Sequence, residues 1–100
     1  MSIIISIKNE IGGLDFAGSR GSGELVREKM KPILDKEENV TLDFTGVESI
    51  TQSFADEVVG IFVRAFGIGY IKNNLRLNNA NDSIKQTLNF VISYSKKKMA

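Results

Sequence analysis

Residues 40–44 read VTLDF, residues 45–52 read TGVESITQ, and residues 53–66 read SFADEVVGIFVRAF. The first piece has period two: Val40, Leu42 and Phe44 fall on one face, Thr41 and Asp43 on the other. That alternation, in a β-branched and aromatic run, predicts a strand. Gly46 breaks the run. The third piece has the helical period. Phe54, Val58, Ile61, Phe62, Ala65 and Phe66 recur at i, i+4, i+7, i+8, i+11 and i+12, which predicts a helix with that stripe buried. Phe54, Val58, Phe62 and Phe66 are its expected core anchors. Ser53 is the expected N-cap, with Asp56 three residues on as a variant capping box. Gly67 and Gly69 end the helix. Asp56, Glu57 and Arg64 lie off the stripe and are expected to face water.

Upstream, Ile3, Ile4, Ile5 and Ile7 form a nearly continuous apolar run, as in a strand covered on both faces. Gly12-Gly13 reads as a turn, and residues 14–17 as a short strand returning antiparallel to the first. The run GSRGSG over residues 18–23 precedes a helix expected from about Glu24, with Val26, Met30, Ile33 and Leu34 on one face. Pro32 removes a backbone donor and predicts a kink or an end near Lys31. Downstream, Leu75-Arg76-Leu77 reads as a short strand. Asn81 or Asp82 caps a last helix with Ile84, Leu88, Val91 and Ile92 as its stripe. Lys96, Lys97 and Lys98 close that helix, where cations suit its dipole. The alternation of strands and helices predicts a small α/β domain. Its expected sheet is mixed and largely parallel, with about four strands and three main helices.

The 100 residues fit one domain, residues 1–100. The net charge of +1 gives no reason to expect nucleic acid or a membrane surface as partner. The chain has no His and no Cys, which excludes thiol and Ser-His-Asp catalysis, disulfides and Cys/His zinc sites. The apolar opening is too short to span a bilayer or to serve as a secretory leader, so a cytoplasmic location is expected.

LDFTGVESITQSFADEVVGIFV resembles the central segment of a STAS domain, the fold of anti-anti-sigma factors and of sulfate-transporter tails. More closely, it resembles the small bacterial STAS-like family, marked by a strand, an SFADE-type helix start and a later LxxxNxxxxI segment. Leu75, Asn79 and Ile84 roughly supply that last piece. The resemblance covers about two thirds of the chain. It implies the STAS-like fold and a non-catalytic regulatory role, docking onto a protein partner such as a histidine-kinase-like ATPase. In anti-anti-sigma factors a serine at this helix start is phosphorylated. Here that turn falls on Thr51, Gln52, Ser53 and Phe54, and the usual acceptor position is Gln52, which cannot carry phosphate. Ser53 and Thr51 are the neighbouring hydroxyls and the candidate phosphorylation sites.

The expected partner surface is therefore Thr51, Gln52, Ser53, Asp56 and Glu57, although capping alone explains Ser53 and Asp56. The alternative function is small-ligand binding, of a nucleotide or another anion, by the Gly18–Gly23 loop. There Ser19, Arg20, Gly21, Ser22 and Gly23 precede a helix N-terminus. The loop is not a Walker A motif, and a plain strand-to-helix connection explains its glycines equally well. Asp43 sits at a strand end where ligands gather in open α/β sheets, but a turn-capping role is the commoner one for such a carboxylate. Phe90 and Tyr94, at i and i+4 beside the last stripe, either widen the core contact, the commoner role, or form a patch for another subunit, as in a homodimer. No catalytic residue, cofactor or metal site is expected.

Overall fold

The computed structural model describes residues 2–98. Strand β1 (Ser2–Ser6) runs directly into a single helical turn, α1 (Ile7–Glu10). A two-residue strand, β2 (Phe16–Ala17), leads into helix α2 (Arg20–Asp35). Strand β3 (Asn39–Asp43) and the two-residue β4 (Ser49–Ile50) precede the central helical rod. That rod is continuous: α3 (Gln52–Ala55), a π-helical turn (Asp56–Gly60) and α4 (Ile61–Phe66). The short α5 (Gly69–Lys72), β5 (Leu75–Asn78) and the long α6 (Asp82–Lys98) complete the chain.

Strands β1, β3 and β5 form a parallel sheet in the order β1-β3-β5, with Val40 opposite Ile3 and Leu75. The expected central strand is therefore β3. Val40 and Leu42 are fully buried against the helices, while on the other face Ile4, in register with Thr41, is 63% exposed. The expectation of a first strand buried on both faces thus fails twice: Ile4 lies on the open face, and Ile3, beside Val40 but on an edge strand, is half-exposed. The returning antiparallel strand is not formed either. β2 pairs with β4, in parallel, as a separate two-stranded sheet, so every ladder among the described residues is parallel. The reason lies in α1. Ile7 does not extend β1; it starts a helical turn capped by Ser6 Oγ, which accepts from Asn9 N at 3.3 Å. Ile7 and Ile11 bury there, and Gly12 and Gly13, both at positive φ, turn the chain away from a hairpin. Among the described residues the expected count becomes five strands in two sheets. The three long helical stretches are joined by the single turns α1 and α5.

Helix α2 starts at Arg20, four residues before the expected Glu24, because Ser19 caps it. Ser19 Oγ accepts from Ser22 N at 3.0 Å. It also passes through Pro32 to Asp35. Pro32 stands near the helix end on the exposed side, so the carbonyl it leaves unpaired can meet water, and buried Leu34 anchors the final turn.

The π turn corrects the expected face of the central rod. One extra residue in a turn rotates everything downstream by about 100°. Val63 thereby enters the core and Ala65 leaves it. Phe54, Val58 and Phe62 are buried as expected, whereas Phe66 is 52% exposed. Its ring lies 4.6 Å from that of Tyr70, with the Lys31 ammonium 5.3 Å above it.

Candidate functional site

The small β2–β4 sheet aligns two helix starts. Thr51 N donates to Ala17 O at 3.0 Å, and Thr51 Oγ1 donates to Gly18 O at 3.1 Å. The same hydroxyl accepts from Phe54 N at 3.0 Å, which makes Thr51, not Ser53, the N-cap of the rod. Arg20, the first residue of α2, consequently faces the start of the rod. Behind it, Gly23 is buried where the helices touch: a Cβ there would stand 2.7 Å from Glu57 Cβ and 3.1 Å from Phe54 O. Gly21–Gly23 are thus helical, and the expected open glycine loop before the helix does not form.

The carboxylates on the π turn are locked by arginines from three directions. Arg64 Nη1 and Nη2 grip Asp56 Oδ1 and Oδ2 at 2.6 and 3.1 Å. Arg64 Nη1 also donates to the buried Ser95 Oγ at 2.9 Å. Arg27 Nη1 holds Glu57 Oε1 at 2.8 Å. Arg20 Nη1 bridges the two acids, 3.1 Å from Glu57 and 3.4 Å from Asp56. The Arg64 hydrogen bonds hold the Asp56 carboxyl below its ordinary value, and Asp56 in turn raises the Arg64 guanidinium. Eight residues apart, Asp56 and Arg64 would stand about 80° apart around an unbroken α-helix, and the extra residue of the π turn brings them onto one face. Glu57, expected at the surface, is only 9% exposed because this network and Gly23 enclose it.

Beside the network lies an open groove of about 670 Å³ between the rod and α6. Gln52, Ser53, Asp56, Arg20 and Arg64 line one side, and Phe90, Val91, Tyr94 and Lys98 the other. The rings of Phe90 and Tyr94 lie nearly parallel, at 10°, with centroids 6.5 Å apart, and they are 55% and 50% exposed. The Lys98 ammonium sits 5.3 Å from the centre of the Tyr94 ring. The pair is therefore a surface patch and does not widen the core. Gly60 permits the close approach of α6, since a Cβ there would lie 2.9 Å from Val91 Cγ1.

Among the expected partner residues, Gln52, Ser53 and Asp56 meet in this groove. Thr51 and Glu57 stand behind it as cap and ion-pair partner. Arg20, expected in a separate anion loop, joins the same site, while Ser19 and Ser22 serve the cap of α2. Arg64 and Lys98 escape sequence reasoning. A pairing across eight residues needs the π turn, and a terminal lysine carries no signal of what it faces. Asp43 serves its turn: its Oδ1 accepts from Thr45 N at 3.0 Å, Thr45 Oγ1 at 2.7 Å and Asn79 Nδ2 at 3.2 Å, bonds that lower its carboxyl. Among the described residues no group of three or more acids gathers as for a metal ion, and no helix is long and apolar enough to cross a membrane.

A family model described as a STAS-like domain of unknown function (DUF4325) matches residues 22–85. That span runs from the first turn of α2 through the rod to the start of α6. The search of curated proteins and the search of solved structures found no match.

Proposed function

The chain belongs to the family of STAS-like domains, and from that premise we propose that it is a non-catalytic regulatory domain that docks a protein partner in the groove between the rod and α6. One observation carries the reading: two stacked aromatic rings stand half exposed beside the ends of α2 and the rod, next to charged groups already fixed by ion pairs. Exposed aromatics beside polar anchors are the side chains that dominate protein interfaces. The acids of the site are spent on arginines, which leaves none free for proton transfer and favours binding over turnover. A histidine-kinase-like ATPase is the class of partner that the STAS resemblance suggests, and the cytoplasm is the compartment where the two would meet. With Gln52 at the usual acceptor position, docking is constitutive.

The test is affinity capture from native extract with the wild type, Gln52→Glu and Tyr94→Ala. A partner retained by the wild type and lost from both variants, with their circular dichroism unchanged, supports docking through this groove. A partner that all three proteins capture equally places the interface elsewhere.

A further inference from the structure

The groove is asymmetric in charge, and that asymmetry names the chemistry of its occupant. Arg20, Arg64 and Lys98 line it against the single carboxylate of Asp56. Arg64 is committed to that carboxylate through both of its terminal nitrogens. Arg20 is not so committed. Its two contacts, at 3.1 and 3.4 Å, go to acids that Arg27 and Arg64 already hold more closely, and its side chain is 59% exposed. It therefore loses least by turning toward a new anion. Lys98 pairs with no carboxylate among the described residues and rests on the Tyr94 ring. The Phe90–Tyr94 stack lines the same groove as these two cations, an apolar platform beside positive charge.

Resting on the docking reading above, we propose that the groove takes an acidic segment of the partner protein, whose carboxylates pair with Arg20 and Lys98 while an apolar side chain lies on Phe90 and Tyr94. Carboxylates match the forked guanidinium of Arg20, and the groove is open enough to admit an extended chain. Charge complementarity of this kind sets partner choice and encounter rate, so binding weakens as salt screens it.

The experiment is selection of random dodecapeptides displayed on phage against the immobilised wild-type protein, with Arg20→Glu, Lys98→Glu and Tyr94→Ala screened in parallel after a circular dichroism check. The expected consensus is rich in Asp and Glu around an aromatic or leucine residue. A synthetic peptide of that consensus should bind Tyr94→Ala ~30-fold more weakly, the loss typical of an interface anchor. It should bind either charge reversal at least about tenfold more weakly, with the deficit shrinking at high salt. No consensus, a neutral or basic one, or one that the charge reversals still bind overturns the proposal. So does a groove filled otherwise: GTP or ATP raising the melting temperature of the wild type but not of Arg20→Glu, or light scattering that shows a dimer which Tyr94→Ala dissolves. Failure here is separable from failure of the docking reading. A native partner lost on Tyr94→Ala but kept by Arg20→Glu and Lys98→Glu leaves docking in place and removes only its acidic specificity.

Discussion

The cap that spacing assigns to Ser53 belongs to Thr51. S-x-x-D is a capping pattern in sequence, yet Thr51 is the residue that leaves strand β4 in extended conformation with its hydroxyl over Phe54 N. Thr51→Ala should therefore lower stability by about 1 kcal/mol, and Ser53→Ala should stay within about 0.5 kcal/mol of wild type; chemical denaturation of both variants checks the order. The pH dependence belongs to this scale as well. Asp56 is held below its ordinary value of 3.8, so its ion pair contributes fully above that pH. The contribution is lost as pH falls through the lower folded-state value. Asp35 and Asp43 are lowered too, by hydrogen bonds from Lys31 and Tyr70 and from Thr45 and Asn79 respectively. The diagnostic is thus a difference: melting curves of Arg64→Met should show a shallower loss of stability than wild type below about pH 4. Equal acid slopes would mean that the Arg64–Asp56 pair is not what depresses the carboxyl.

At the scale of elements, the π turn does the most to shape the site. It aligns Asp56 with Arg64, turns Glu57 inward and ends at Gly60, where α6 comes closest. Two glycines of α2 test how tightly the rod is packed. Gly21 has open space around it, so Gly21→Ala should stabilise by up to about 0.5–1 kcal/mol through helix propensity. Gly23 faces the Glu57 side chain and the Phe54 carbonyl, and Gly23→Ala should instead destabilise by roughly 1–3 kcal/mol through overpacking. Opposite signs in thermal denaturation are expected, and stabilisation at both positions would show that α2 does not lie this close to the rod. Both glycines stand in the GSRGSG run, so this pair also separates a helical reading of that run from a flexible loop.

Across the whole molecule, one core joins the sheet to the three long helices, and Phe62 lies inside it while Phe66 lies at its rim. Phe62→Ala should cost about 3–5 kcal/mol, and Phe66→Ala much less, since a half-exposed ring loses little on truncation. Urea midpoints measure both, and equal losses would restore the unbroken helical stripe. The β2–β4 sheet matters at this scale because it holds the starts of α2 and the rod side by side without belonging to the main sheet. That arrangement lets residues 20, 52 and 53 meet one groove.

Legible in the chain alone were the α/β class, the central strand and the identity of Phe54, Val58 and Phe62 as core. Period two, period 3.6 and the SFADE resemblance are local signals, and each survives folding because burial enforces it. The STAS-like family followed from those same residues. Tertiary structure decided the rest. β2 found β4 because α1 carried the chain away from a hairpin. The extra residue of the π turn rotated Val63 in and Ala65 out. Glu57 became buried because arginines distant in sequence came to meet it. The groove itself exists only where α6 crosses the rod, so the stacked rings and Lys98 had no meaning until residues 52–56 stood opposite them. Pairings between residues far apart in the chain depend on how whole elements pack, and no local spacing encodes that.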